Sequence, residues 1–196
     1  NLAKIVLIAA FLWCIPILLL TFSLGWQHAY TQMAWFFTKA ALLTFGGAYA
    51  VLPYVYQGAV NYYGWLNPTQ MIDGLALGES TPGPLIMVVA FVGFLGGFNQ
   101  ALLGTEHLFL AGAVGAVIVT WFTFLFSFVF IFAGAPLIES THNELKFTAP
   151  LTAITAAVVG VILNLALFFS YHVLWPNGFD HAFNYEAAII TVTAMI

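Results

Sequence analysis

The stretch from His107 to Ile138 contains no Asp, Glu, Lys or Arg and consists almost entirely of apolar residues. A helix of roughly 20 apolar residues crosses the hydrocarbon core of a bilayer, so this run is long enough to cross it with some tilt. Comparable apolar runs extend from Leu2 to Leu24 and from Phe147 to Pro176. The three runs predict full transmembrane helices, and they indicate an all-α, multi-pass membrane protein.

Composition supports the same class. Hydrophobic residues make up 63% of the 196 residues, charged residues make up 5%, and the mean hydropathy is +1.02. Soluble domains carry about a quarter charged residues, so this chain is poorly suited to an aqueous surface. Its three cations are all lysines, which excludes nucleic acid as a partner. The single cysteine and the lack of a Cys/His zinc spacing predict no intrachain disulfide, no metal and no cofactor.

The segment from Gln32 to Asn99 has a different pattern. Its apolar pieces are each about 12 to 14 residues long, or roughly 20 Å of helix, which is too short for a crossing. They are separated by the breaks GGAYAVLP and TPGP. Paired Gly/Pro interruptions indicate the binding site of a transporter, although two merely kinked helices have the same signature. We expect two successive broken helical units, either discontinuous or re-entrant.

A break of this kind leaves backbone N–H groups free at the start of the following half-helix. With the positive end of the helix dipole behind them, these groups form an anion site that needs no side-chain charge. In the first unit, Gly46 and Gly47 interrupt the helix, and Pro53 suits the first turn of the next half-helix. In the second, Gly83 permits close backbone approach and Pro84 is expected as the first helical residue.

Hydroxyl groups flank both breaks. Ser80 and Thr81 either contact a bound oxyanion or cap the helix end, and Tyr49 either donates to the ligand or is an ordinary interfacial tyrosine. An intramembrane serine enzyme with Ser80 as nucleophile lacks a Lys or His base at any helical spacing. The chain is therefore not expected to be an enzyme.

Two charged residues lie close to the breaks. Lys39 precedes Gly46 by about two helical turns and so shares a face with the first break. It either supplies positive potential there or extends its ammonium group to a membrane interface. Glu79 ends a half-helix, where the dipole disfavours negative charge. Burial there favours its neutral form and a role in proton coupling or gating, whereas a solvated acid indicates a water-filled vestibule.

Small residues and tryptophans predict how the long helices pack. Small residues that suit close helix packing recur in two of the long runs, at Ala111, Gly112, Gly115 and Ala116, and at Ala156, Ala157 and Gly160. Tryptophans near the predicted span ends, as in an aromatic belt, are Trp26, Trp35, Trp65 and Trp175. Trp121 instead falls within a span.

Two motifs carry a family resemblance. FGGAYAVLPYV begins at Phe45, and GESTPGPLIMVVAFVGF follows it about thirty residues later, from Gly78. Together they resemble the chromate ion transporter family, as do the stretches YGWLNPTQMIDGLALGE, TWFTFLFSFVFIFAGAPLIE and LTAITAAVVGVILNLALFF. The similarity extends from about Trp35 to Phe169. One departure is that FTFLFSFVF lacks the Pro-Cys pair found in many members of that family.

The resemblance implies export of chromate, with sulfate as the isosteric anion, across the bacterial inner (plasma) membrane. Long members of the family carry two homologous halves, and residues 1–196 resemble the second half as a single membrane domain, truncated at both ends. The partner would then be a homologous half or a second copy of this chain. An ion gradient is the expected energy source, and an anion channel or a non-transporting structural half are the alternatives.

Overall fold

The computed structural model describes residues 2–43, 48–140, 148–176, 178–179 and 182–194, which form helices and connecting turns without a β-strand. The α-helices are α1 (Leu2–Leu24), α2 (Ala29–Leu43), α3 (Ala48–Tyr56), α4 (Pro68–Ser80), α5 (Val88–Asn99), α6 (Leu108–Ser140), α7 (Thr148–Leu174) and α8 (Tyr185–Ala194). A π-helical segment, Gln57–Tyr62, continues α3, and 3₁₀ turns at Leu85–Met87 and Thr105–His107 precede α5 and α6. The all-α class is confirmed.

The three long apolar runs form α1, α6 and α7, close to their predicted bounds. Within the described residues, the stretches Leu2–Leu24 and Thr105–Gly134 are long and apolar enough to cross a membrane, and only 6% and 17% of their apolar windows are buried by protein. Large apolar side chains such as Phe22 and Phe109 are therefore exposed on these helices. Because water would disfavour such surfaces, their natural surrounding is lipid.

Helix α2 and the α3 segment form an antiparallel pair, called the first hairpin here. The Phe36 ring stacks on that of Tyr54, with centroids 4.8 Å apart. Near the other end of the pair, the Tyr63 hydroxyl donates to Gln32 Oε1 over 3.2 Å. The start of α2 thus lies beside the end of the π segment, and we call this end the base. The residues joining α2 to α3 include Gly46 and Gly47 and lie outside the described residues.

Helices α4 and α5 form a second antiparallel pair, the second hairpin. The Asn99 side-chain amide at the end of α5 donates to Gln70 Oε1 near the start of α4, over 3.2 Å. Midway along the pair, Gly74 leaves room for the Phe91 ring, because a Cβ at this position would lie 2.5 Å from that ring. The turn at residues 81–84 is therefore the tip of this hairpin, and Gln70 and Asn99 mark its base.

The start of α4 follows its sequence signals. Asn67 Oδ1 accepts from the Gln70 backbone N–H at 2.8 Å, and Gln70 Oε1 accepts from the Asn67 N–H at 3.0 Å. This capping box, with Pro68 as the first helical residue, confirms the predicted helix start. The prediction for Pro53 was wrong, since it lies inside α3, beyond the first turn. Membrane helices tolerate such a proline where other groups compensate for the missing N–H.

Glycines bring α5 and α6 into close contact. A Cβ at Gly93 would lie 2.6 Å from the Gly115 carbonyl oxygen, and one at Gly97 would collide with the Ala111 backbone. Gly112 similarly leaves room for the Phe94 ring. Close packing is thus confirmed for the small residues of α6. The small residues of α7, Ala156, Ala157 and Gly160, are exposed within this chain, so close packing there stays a prediction. Spacing alone does not specify which neighbour a helix has.

The tryptophans also differ from a simple belt. Trp65 is 1% exposed and stacks on Tyr63, with ring centroids 4.4 Å apart, so it packs inside the protein and its interfacial position stays a prediction. Trp121 has a specific partner, because its Nε1–H donates to the Leu12 carbonyl at 3.2 Å. That carbonyl has no donor within α1, since the residue four positions later is Pro16. The contact therefore joins α6 to α1 at the proline.

Candidate functional site

The tips of the two hairpins meet through one hydrogen bond. The Tyr49 hydroxyl, in the first turn of α3, donates to Glu79 Oε1 in the last turn of α4 over 2.9 Å. Both side chains are exposed. The burial expected for Glu79 is therefore absent, because the short α4 ends here and leaves the carboxylate beyond its packed part. Two residues predicted at separate breaks are thus brought into direct contact.

A cavity of about 320 Å³, called the break cavity, lies at the tip of the second hairpin. Its lining includes Leu77, Thr81, Pro82, Gly83, Met87 and Phe91. No atom outside its immediate neighbours lies within 4 Å of a Cβ built on Gly83, so this residue faces open space. Within the described part of the chain, the backbone N–H groups of Gly83, Leu85 and Ile86 make no hydrogen bond. These groups are available to a ligand.

Pro84 lies outside the helix that it was predicted to begin. It precedes the 3₁₀ turn with an extended backbone, φ −70° and ψ 125°, and its carbonyl accepts from the Met87 N–H at 2.9 Å. The helix proper begins only at Val88. The prediction that Pro84 is the first helical residue was therefore wrong, because a single tight turn separates the break from α5.

Ser80 and Thr81 bond to their own helix in this conformation. The Ser80 and Thr81 hydroxyls both donate to the Leu77 carbonyl, at 3.1 Å and 2.6 Å. The Thr81 backbone N–H donates to the same oxygen at 3.1 Å. Their hydroxyl protons thus cap the end of α4, which is the plainer of the two roles open to them. Thr81 nevertheless also lines the break cavity.

Lys39 belongs to a different cavity. An open cleft of about 480 Å³, called the Lys39 cleft, lies along the first hairpin. Its polar lining consists of Lys39, Tyr54, Gln57, Asn61, Tyr62 and Tyr63. The Lys39 Nζ lies 5.9 Å from the centroid of the Trp35 ring, within the range of a cation–π contact. Lys39 does not line the break cavity, so the structure separates it from Gly83.

Sequence reasoning did not select Gln57 and Asn61, although both line the Lys39 cleft. The available signal was their spacing, because two amides four residues apart in an apolar segment share one helix face. Gly46 and Gly47, the other predicted site residues, lie outside the described residues.

The apolar surfaces of α1 and α6, together with the cavities on the two short hairpins, define a helical membrane protein. A sequence profile of the family described as Chromate transporter matches residues 31–196. The chain therefore belongs to the chromate transporter family. This is a family of transport proteins embedded in the membrane, and the relatives are named for transport.

Individual relatives agree with this assignment. The chain is 33% identical over 137 residues to the chromate transport protein of Cupriavidus metallidurans, covering 70% of this chain and 31% of that protein. It is 38% identical over 124 residues to the chromate transport protein of Pseudomonas aeruginosa, covering 63% and 26%. The uncharacterized transporter YwrB of Bacillus subtilis is 25% identical over 137 residues, covering 69% and 64%.

The alignments to the Cupriavidus and Pseudomonas proteins thus span about a third or less of those relatives. No solved structure gives a significant match to the chain.

Proposed function

We propose that this protein carries a tetrahedral oxyanion across the inner (plasma) membrane, with chromate as the exported substrate and sulfate as its isosteric competitor. The observation that carries this proposal is the Tyr49–Glu79 hydrogen bond, which joins the tips of the two short hairpins. Membership of the chromate transporter family supports the substrate class. The Cupriavidus and Pseudomonas relatives are both named for chromate transport.

Hairpin length supports a position of the tips at the depth of the hydrocarbon core. Helix α2 has 15 residues, or about 22 Å at roughly 1.5 Å per residue. Helix α4 has 13 residues, or about 20 Å. Both are shorter than the roughly 30 Å of a typical hydrocarbon core. We infer that both hairpins are re-entrant, with their bases near one membrane face. Backbone groups at such tips need protein, water or a ligand as partners.

The break cavity supplies donors for an anion. The free N–H groups of Gly83, Leu85 and Ile86 lie at the start of α5 and its 3₁₀ turn, where the helix dipole adds positive potential. Gly46 and Gly47 are proposed to act in the same way at the first tip. Ser80 and Thr81 donate to the substrate only when their protons leave the Leu77 carbonyl.

Glu79 is the proposed group for proton coupling or gating. A carboxylate beside an oxyanion repels it, whereas a protonated carboxyl group donates a hydrogen bond to it. In the present conformation the Tyr49 hydroxyl donates to Glu79 Oε1 and is therefore not available to a ligand. Protonation of Glu79 would free Tyr49 to donate to the anion. Proton uptake and anion binding are thereby linked at one pair of side chains.

The described residues do not enclose either cavity on all sides. We propose that a homologous half, or a second copy of this chain, completes the pathway within the bilayer. The exposed small residues of α7, Ala156, Ala157 and Gly160, are one surface suited to such packing.

Transport in inside-out vesicles tests the proposal. Uptake of chromate and of sulfate is measured with a pH gradient imposed and then collapsed. We expect chromate uptake that sulfate inhibits and that falls when the gradient is collapsed. Lys39→Ala and Glu79→Gln should each reduce chromate uptake at least tenfold. If both variants transported chromate at the wild-type rate, the site assignment would be wrong. A current driven by voltage and independent of pH would instead identify an anion channel.

A further inference from the structure

We propose that the Lys39 cleft is a second oxyanion-binding site, in which Lys39, Gln57 and Asn61 hold a tetrahedral anion. The anion is either free sulfate or chromate, or the phosphate group of an anionic lipid. This inference rests on the proposed function for its free ligand. It adds a site that is distinct from the break cavity, with which the cleft shares no lining residue.

The groups that line the cleft suit an anion. The Lys39 ammonium carries three donors and no acceptor, and each amide of Gln57 and Asn61 carries two donors. The hydroxyls of Tyr54 and Tyr62 add two more, and none of the described Asp and Glu residues lines the cleft. A site that combines one fixed positive charge with several neutral donors favours an oxyanion over a cation. The volume of about 480 Å³ also leaves space for bridging water.

The π-helical segment explains why these donors converge. The Tyr63 N–H donates to the Gly58 carbonyl at 2.9 Å, five residues back, and the Trp65 N–H donates to the Ala59 carbonyl at 2.8 Å. In such a wide turn, residues four and five positions apart lie on one face. Asn61 and Tyr62 therefore both line the cleft with Gln57. In a regular α-helix, Tyr62 would be rotated away from Gln57, and π segments are frequent at functional sites.

A rigid aromatic wall supports the donors. Gly58 has no side chain, and a Cβ there would collide with the Phe36 ring. Phe36 therefore packs directly against the π segment and is itself 3% exposed. Its ring also stacks on Tyr54 at an interplanar angle of 10°. Trp35 lies 5.9 Å from the Lys39 ammonium and holds it by a cation–π contact. The aromatic wall of the cleft is thus packed before a ligand binds, and Gln57 and Asn61 are exposed beside it.

The position of the cleft suits an approach route to the tips. Tyr63, at one end, marks the base of the first hairpin through its bond to Gln32. Lys39, at the other end, lies near the end of α2 and therefore closer to the tip. An anion bound along this face lies between a membrane surface and the Tyr49–Glu79 pair. Binding here would raise the local anion concentration beside the tips.

Direct binding in nanodiscs tests the inference. Radiolabelled sulfate binding is measured with protein in pure phosphatidylcholine nanodiscs, and the KM for transport is measured in parallel vesicles. Gln57→Leu and Asn61→Leu should each raise the sulfate Kd and the KM roughly tenfold, because each removes a hydrogen bond to a charged group. Asn61→Asp, which has nearly the same shape, should raise both further by repulsion. The matched control is Asn164→Leu, an exposed amide on α7 outside the cleft, which should change neither value.

A second set of nanodiscs containing phosphatidylglycerol identifies the source of the anion. If a lipid phosphate occupies the cleft, phosphatidylglycerol should weaken sulfate binding to the wild type but not the remaining binding to Asn61→Leu. If the free anion occupies it, the lipid has no effect. Wild-type Kd and KM in both leucine variants, without lipid competition, would overturn the inference. Sulfate binding that depends on Asn61 without transport of either anion would refute the proposed function alone.

Discussion

The Tyr49 hydroxyl donates to Glu79 Oε1 over 2.9 Å, and this bond joins two hairpins that are separate in sequence. Tyr49 follows the first break and Glu79 precedes the second. Each side chain thus depends on the other hairpin for its partner. Any movement that separates the tips breaks this bond.

Removal of either partner should affect transport through the same step. Glu79→Gln should reduce pH-driven chromate transport at least tenfold and remove its dependence on the pH gradient, because an amide does not take up or release a proton during transport. Tyr49→Phe should reduce transport several-fold, since it removes a charge-assisted hydrogen bond that exposure to solvent weakens. The double variant should be no worse than Glu79→Gln.

Asp73→Asn is the control for this pair, because Asp73 is an exposed carboxylate on the same helix, α4. It should transport normally with the gradient dependence intact. Strictly additive losses in the double variant would show that Tyr49 and Glu79 act independently.

A large side chain at the tip of the second hairpin should block transport without unfolding the protein. Gly83 faces open space, so Gly83→Leu fits the fold but fills part of the break cavity and covers the free N–H group at this position. We expect the thermal midpoint in detergent to stay within a few degrees and the transport rate to fall at least tenfold. Gly134→Leu, on α6 and also without near neighbours, is the matched control. Wild-type transport by Gly83→Leu would exclude an anion site at this backbone.

A larger side chain between α5 and α6 should instead lower the stability of the protein. A Cβ at Gly93 would lie 2.6 Å from the Gly115 carbonyl oxygen, so Gly93→Val forces two packed helices apart. Overpacking of this kind costs about 1–3 kcal/mol. We expect a lower thermal midpoint and less folded protein in detergent. Gly134→Val, on α6 and without near neighbours, should keep the wild-type midpoint, and equal losses in both variants would contradict the close α5–α6 contact.

The Trp121–Leu12 hydrogen bond can be tested by replacing Pro16, which leaves the Leu12 carbonyl without its usual donor in the helix. Trp121→Phe should destabilise the protein by about 0.5–1.5 kcal/mol, because the Leu12 carbonyl loses its donor. In a Pro16→Ala background, the alanine N–H provides that donor within α1, so the same substitution should cost less. Thermal unfolding of the four proteins measures the difference. If Trp121→Phe destabilised the protein equally in both backgrounds, the indole would not compensate for the N–H group that Pro16 lacks.

The sequence predicted the elements whose signals are local. Apolar length located α1, α6 and α7, and the Asn-Pro start located α4 through its capping box. The small residues of α6 correctly indicated a close helix contact. These features follow from one stretch of chain and from the demand of lipid that backbone groups be paired.

The features that the sequence did not predict depend on neighbours. The π segment forms where Gly58 admits the Phe36 ring, and nothing in its own residues distinguishes it from an α-helix. Trp65 is buried because Phe37 and Tyr63 stack on it, although its position suggested an interface. Lys39 shares a helix face with the break in sequence, yet its side chain lies along the neighbouring π segment. Periodicity gives the face of a helix but not what lies opposite it.

A single side-chain amide connects the hairpin bases. Asn99 Nδ2 donates to Gln70 Oε1 and also, over 3.0 Å, to the Trp65 carbonyl in the connection between the hairpins. Trp65 in turn stacks on Tyr63 of the first hairpin. These bonds lie at the end of the hairpins opposite Tyr49 and Glu79. For a given tilt of a hairpin about its base, the displacement is greatest at the tip, so the Tyr49–Glu79 contact is the part most sensitive to such a tilt.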